Sequence, residues 1–121
     1  LARFRGAIAV ARAVPAQLEK ADAAAWTAEQ LAPRSGAATV LFHSVMWQYL
    51  PAATREALRE RLEAAGQRAS ADAPLAWLAF EPPKADAHML LTLTLWPGGE
   101  PRVLAAAHQH GRWVQWLGLE R

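Results

Sequence analysis

The chain has 121 residues, 53% of them hydrophobic and 20% charged, with a formal net charge of +2 and no cysteine. That length supports one core and that balance is a globular one, which excludes a disordered tail and a collagen-like repeat. The lack of cysteine removes disulfide scaffolds, thiol nucleophiles and cysteine-ligated zinc, and leaves the chemistry to His, Ser, Asp, Glu and Tyr.

Phe4, Ile8 and Ala11 recur at helical spacing from Ala2 to Val14, with Arg3, Arg5 and Arg12 largely off that stripe, and Pro15 biases Val14 out of the helix. Gln17 to Ala21 is expected as a brief strand. Asp22 is then a plausible N-cap for a helix through Trp26 and Leu31 to Pro33. Ala38 to Phe42 is an apolar run without alternation, the pattern of a central parallel strand buried on both faces. After Pro51, Leu58, Leu62 and Ala65 make the apolar stripe of a helix over Ala52 to Ala65. Arg59 and Glu63 can pair on its wet side, and Gly66 suits the position that ends it.

Pro74 to Phe80 is a second unbroken apolar run, closed by Glu81-Pro82-Pro83. Strand, helix, strand in this order is the signature of a right-handed βαβ unit. Met89 to Trp96 alternates instead, with Leu91, Leu93 and Leu95 on one face and Thr92 and Thr94 on the other. Turns at Pro97-Gly98-Gly99-Glu100 and at His110-Gly111 then give an antiparallel meander of about three strands. The expected fold is α/β: a partial Rossmann-like mixed sheet of two buried parallel strands joined by a helix, followed by a C-terminal antiparallel meander, with helices packed on the sheet. Residues 1–121 form a single domain, and a start at Leu1 inside a helix suggests the C-terminal fragment of a longer protein. No apolar run approaches the ~18 residues of a membrane span, and no signal peptide pattern opens the chain, so a cytoplasmic protein is expected.

The candidate chemistry gathers past the carboxyl ends of the two apolar strands, where open α/β sheets place their ligand crevice. His43 is a candidate general base or carboxylate anchor, and Glu81 a candidate acid/base flanked by Phe80 and Pro82. Ser44, Trp47, Gln48 and Tyr49 are candidate ligand-binding residues, the rings as an apolar wall. The plainer alternative has His43 and Ser44 satisfying backbone at a strand-to-helix junction, the aromatics completing the core, and Glu81 as a solvated strand-end carboxylate. His43-Ser44 is no triad, because neighbours point to different sides and no G-x-S-x-G is present. His108 and His110 at i,i+2 share a face only on a regular strand, and two ligands are not a zinc site, so no metal is expected. The cations alternate with acids, which speaks against nucleic acid.

Several blocks carry a family resemblance: His43-Ser44-Val45-Met46-Trp47-Gln48-Tyr49-Leu50-Pro51, Pro74 to Leu78 with Glu81-Pro82, Leu95 to Gly99, and His110 to Val114 with Trp116-Leu117. In this order they resemble the C-terminal part of the bacterial domain of unknown function 2332 family, over most of the chain. That family implies no activity. The topology looks like the second half of a Rossmann-like methyltransferase fold, whose first half carries the glycine-rich cofactor turn. No G-x-G occurs in this chain, so the resemblance implies no cofactor here and S-adenosylmethionine in a longer parent, with the chain inactive by itself. The partner is then the missing N-terminal half, or a second copy held through the apolar edge of the first strand. The other reading is a non-catalytic binding or oligomerisation domain that uses its tryptophan-rich strands.

Overall fold

The computed structural model describes residues 1–84 and 88–118. Along it run α1 (Ala2–Ala13), α2 (Ala23–Gln30), β1 (Thr39–Ser44), a 3-10 turn (Trp47–Tyr49), α3 (Ala52–Gly66), β2 (Leu75–Glu81), β3 (Met89–Trp96), β4 (Pro101–Ala107) and β5 (Val114–Trp116). The strands form one sheet in the order β1-β2-β3-β4-β5, each beside its predecessor. β1 and β2 are parallel, with α3 as the crossover such pairing demands, and the other pairs are antiparallel. The expected α/β class, with its parallel pair and its meander, is what the chain adopts.

Local chemistry sets the element ends. Asp22 caps α2 by accepting from Ala25 N–H at 2.9 Å. Asp72 ties the approaches to the parallel strands together: its carbonyl accepts from Gly36 N–H at 2.9 Å and its carboxylate from the Ser35 hydroxyl. The β3–β4 turn closes with Gly99 N–H donating to Leu95 O at 2.8 Å, and its Gly98 and Gly99 take φ of 129° and 83°.

The ladder register sorts the sheet into two faces, because partners across a ladder point the same way. Thr39, Leu75 and Trp96 make one row, and Leu41, Trp77 and Thr94 the next. This is the helix side, where Leu75 and Trp96 join Leu31, Leu62 and Ala65 in the core and Leu41, Ala69 and Trp77 lie against them. On the other side Val40, Ala76 and Leu95 form a row, Phe42, Leu78, Leu93 and Arg102 a second, and Ser44, Phe80, Leu91, Ala105 and Trp116 a third. Val40 and Phe42 are each 57% exposed there, and Trp116 62%. Toward β1 this face is open and apolar, whereas farther across it Met89 and Ala105 are buried.

Four expectations need correction. β1 is the edge of the sheet rather than a central strand, and one of its faces is open. No strand forms over 17–21, where the backbone finds no ladder partner. Gly66 is the last residue of α3 rather than a left-handed cap, and it is glycine because Trp96 lies on it. A Cβ built there would sit 2.6 Å from Trp96 Cε2. Finally, Arg59 pairs with Glu56 at 3.8 Å rather than with Glu63. Of the helices, α1 buries no residue at all.

Candidate functional site

Alternation along β2 puts Trp77, Ala79 and Glu81 on the helix side, and the parallel register sets His43 opposite Ala79. A small residue there leaves room for the imidazole between its two larger neighbours. His43 Nδ1 lies 2.8 Å from Glu81 Oε1, and Nε2 accepts from Trp77 Nε1–H at 2.9 Å. An indole nitrogen only donates, so Nε2 is the bare nitrogen and the proton sits on Nδ1, donated to Glu81. Both ring nitrogens of a buried neutral histidine are thereby engaged inside the chain.

Glu81 Oε1 accepts two further hydrogen bonds, from Met46 N–H at 2.9 Å and Trp47 N–H at 3.2 Å. They come from a sharp turn past β1 in which Val45 takes φ 52°, a region a β-branched residue rarely enters, and Met46 follows at φ −120°, ψ −25°. Such a turn converges successive N–H groups into an anion-binding nest, and the chain's own carboxylate fills it. Strain of this kind costs about 1–3 kcal/mol and persists where surrounding contacts over-determine it, which Glu81 does here. The second oxygen, Glu81 Oε2, is buried with no hydrogen-bond partner among the described residues.

Aromatic packing completes the cluster. Trp47 stacks on His43 with centroids 5.2 Å apart and planes 16° off parallel, and Trp77 leans on Trp47 at 5.4 Å. The Arg59 guanidinium covers the Trp47 ring at 5.2 Å. Beside the cluster is a cleft of about 160 Å³ lined chiefly by Ala23, Trp26, Leu41, Met46, Trp47 and Leu58. Thr27 also borders it, but its hydroxyl is spent on Ala23 O at 2.7 Å. Apart from His43, which also lines it with both ring nitrogens already bonded, the cleft presents little but carbon.

Of the six site residues expected from sequence, the fold gathers His43, Glu81 and Trp47 into one cluster. Ser44 follows His43 onto the opposite face, Gln48 is exposed, and Tyr49 is 77% exposed outside the cleft. Trp77 and Arg59 were not among the expected site residues. The signal for Trp77 lay in its i,i+4 spacing from Glu81, which puts the two on either side of whatever faces residue 79. His108 and His110 fall in the turn after β4, where His108 Nδ1 accepts from His110 N–H at 3.0 Å. Among the described residues no three His, Asp or Glu side chains gather as metal ligands, and no helix is long and apolar enough to cross a membrane.

The cleft beside this cluster is small and apolar for a ligand of the size of S-adenosylmethionine. Such a ligand would need several hundred Å³ with converging donors and acceptors. Here the cleft at the carboxyl end of β1 holds about 160 Å³, and the nearby acid and histidine are already bonded to each other.

Fold and site define an α/β fold in which a buried histidine–carboxylate pair holds the turn after β1, with one carboxylate oxygen left without a partner among the described residues. The chain belongs to the family described as "Uncharacterized protein conserved in bacteria (DUF2332)", whose profile matches residues 1–116. Comparison with curated proteins and with solved structures gives no match.

Proposed function

We propose that this chain is a non-catalytic assembly domain that binds a second copy of itself through the exposed apolar β1 end of its sheet. The observation that carries this reading is the division of labour between the two faces. On the helix side, both nitrogens of His43 and Oε1 of Glu81 serve internal bonds, so the cluster works as a clamp for the turn after β1. On the other side, Val40 and Phe42 at the β1 edge and Leu95 two strands in stay exposed in adjacent rows, and grouped exposed apolar side chains mark an interaction site.

Light scattering across a concentration series tests this. The wild-type chain is expected to be dimeric at high micromolar concentration, and Phe42→Lys, which sets a charge in the middle of the exposed row, to raise the dissociation constant about tenfold or more. A wild-type monomer throughout would overturn the reading.

The competing reading, half of a methyltransferase, is favoured by the parallel β1–α3–β2 unit with a cleft at the carboxyl end of β1. It locates S-adenosylmethionine binding outside these residues. Calorimetric titration of S-adenosylmethionine into this chain is accordingly expected to give no binding heat, and a saturable isotherm would reinstate a cofactor role for the cleft.

A further inference from the structure

We propose that the second copy docks edge to edge, β1 against β1 of its twin, antiparallel and centred on Phe42; this rests on the assembly reading above. The ladder fixes which backbone groups are free. Thr39 N–H donates to Pro74 O at 2.9 Å and Val45 N–H to Phe80 O at 3.2 Å, so the odd-numbered residues of β1 turn their N–H and C=O toward β2. By alternation the N–H and C=O of Val40, Phe42 and Ser44 point away from β2, off the edge of the sheet.

A strand with that pattern is complementary to a copy of itself. A two-fold axis through the midpoint between the two Phe42 residues makes them a hydrogen-bonded pair, exchanging both N–H···O bonds. The same axis sets Val40 opposite Ser44 of the twin, where another pair of bonds forms on each side. The side chains of the edge residues all lie on the open face, so the two Phe42 rings meet across the junction and the apolar rows of one copy continue into the other.

Composition favours the same partner. Thr39-Val40-Leu41-Phe42-His43-Ser44 carries no Lys, Arg, Asp, Glu or Pro, the devices that blunt an exposed edge, and His43 points to the helix side with its ring already bonded. Two copies therefore bring no like charges together. The other edge is poorer: β5 spans three residues against six in β1. Edge pairing alone buries less than the ~1,000 Å² of a stable interface, which sets the dimer in a concentration-dependent, micromolar regime.

The chain lacks cysteine, so introduced thiols report without background. The doubly substituted Val40→Cys/Ser44→Cys chain keeps Phe42 and, under copper-phenanthroline oxidation at high micromolar concentration, is expected to form disulfide-linked dimers between residue 40 of one copy and residue 44 of the other. Hydrogen-bonded partners have Cα atoms about 5.5 Å apart, within disulfide reach, whereas residues 40 and 44 of one strand are about 13 Å apart and cannot close on each other. Phe42→Cys is expected to link to itself with a short bismaleimide, and Val114→Cys, on the opposite edge, several-fold less. Dimer by light scattering with no linkage at 40, 42 or 44, or with linkage favoured at 114, overturns the edge geometry and leaves the assembly reading standing. No dimer and no linkage overturns both.

Discussion

Glu81→Ala is expected to lower the unfolding free energy by about 3 kcal/mol, because it strips three donors of one shared acceptor. Met46 N–H, Trp47 N–H and His43 Nδ1–H all end on Glu81 Oε1. A buried donor left unpaired costs about 1–3 kcal/mol, and partial access of water to the vacated site reduces the sum. Against a total domain stability of about 5–15 kcal/mol, such a loss registers plainly in urea unfolding. The left-handed Val45 also loses what holds it, so the turn after β1 is expected to open with the substitution. Glu81→Gln keeps an acceptor oxygen in place and is expected to lose less than half as much. Added formate or acetate, small enough for the vacated nest, is expected to restore part of the stability of Glu81→Ala and to leave the wild type unchanged. Equal losses for the two variants, with no anion effect, would mean that the carboxylate acts through packing and not as the anion of the nest.

How far this site was legible in the sequence follows from what each signal encodes. The two apolar runs on either side of a helix are enough to pair β1 with β2 in parallel, and parallel pairing brings His43 and Glu81 to the same end of the sheet. Asp22 before a helical pattern and the Pro-Gly-Gly turn before β4 are local signals, and local signals transferred. The edge position of β1 did not, since an apolar run looks the same whether the neighbouring strand and covering helix are supplied or absent. Which way the two faces of β3 turn was open for a related reason. Alternation says that Leu91, Leu93 and Leu95 share a side, but not which side, and the choice is made across the ladder by Trp77 and Trp96. Trp77 as the partner of His43 needed the register itself, and a one-residue slip would have put it on the other face. Gly66 was misread because a glycine at a helix end has a ready local explanation, while its reason lies 30 residues away in an indole ring.

That indole carries the other large effect. Trp96→Ala is expected to cost about 3–5 kcal/mol, the range for emptying a buried tryptophan site. Trp96 is 9% exposed, a member of the core cluster with Leu31, Leu62, Ala65 and Leu75, and it closes the space between the end of α3 and the β3–β4 turn. The sharper test is its coupling to Gly66. In the wild type, Gly66→Ala is expected to destabilise by about 1–3 kcal/mol, because the new Cβ lands inside contact distance of a ring that core packing holds in place. With Trp96→Ala already present the obstacle is gone, and the same substitution is expected to become stabilising by roughly 0.5–1 kcal/mol, the ordinary advantage of alanine over glycine within a helix. The change of sign is an interaction energy of at least about 1.5 kcal/mol, well beyond the scatter of independent sites. Additive effects in the denaturation cycle would mean that Gly66 serves the helix end after all, as a flexible residue and not as the floor under Trp96.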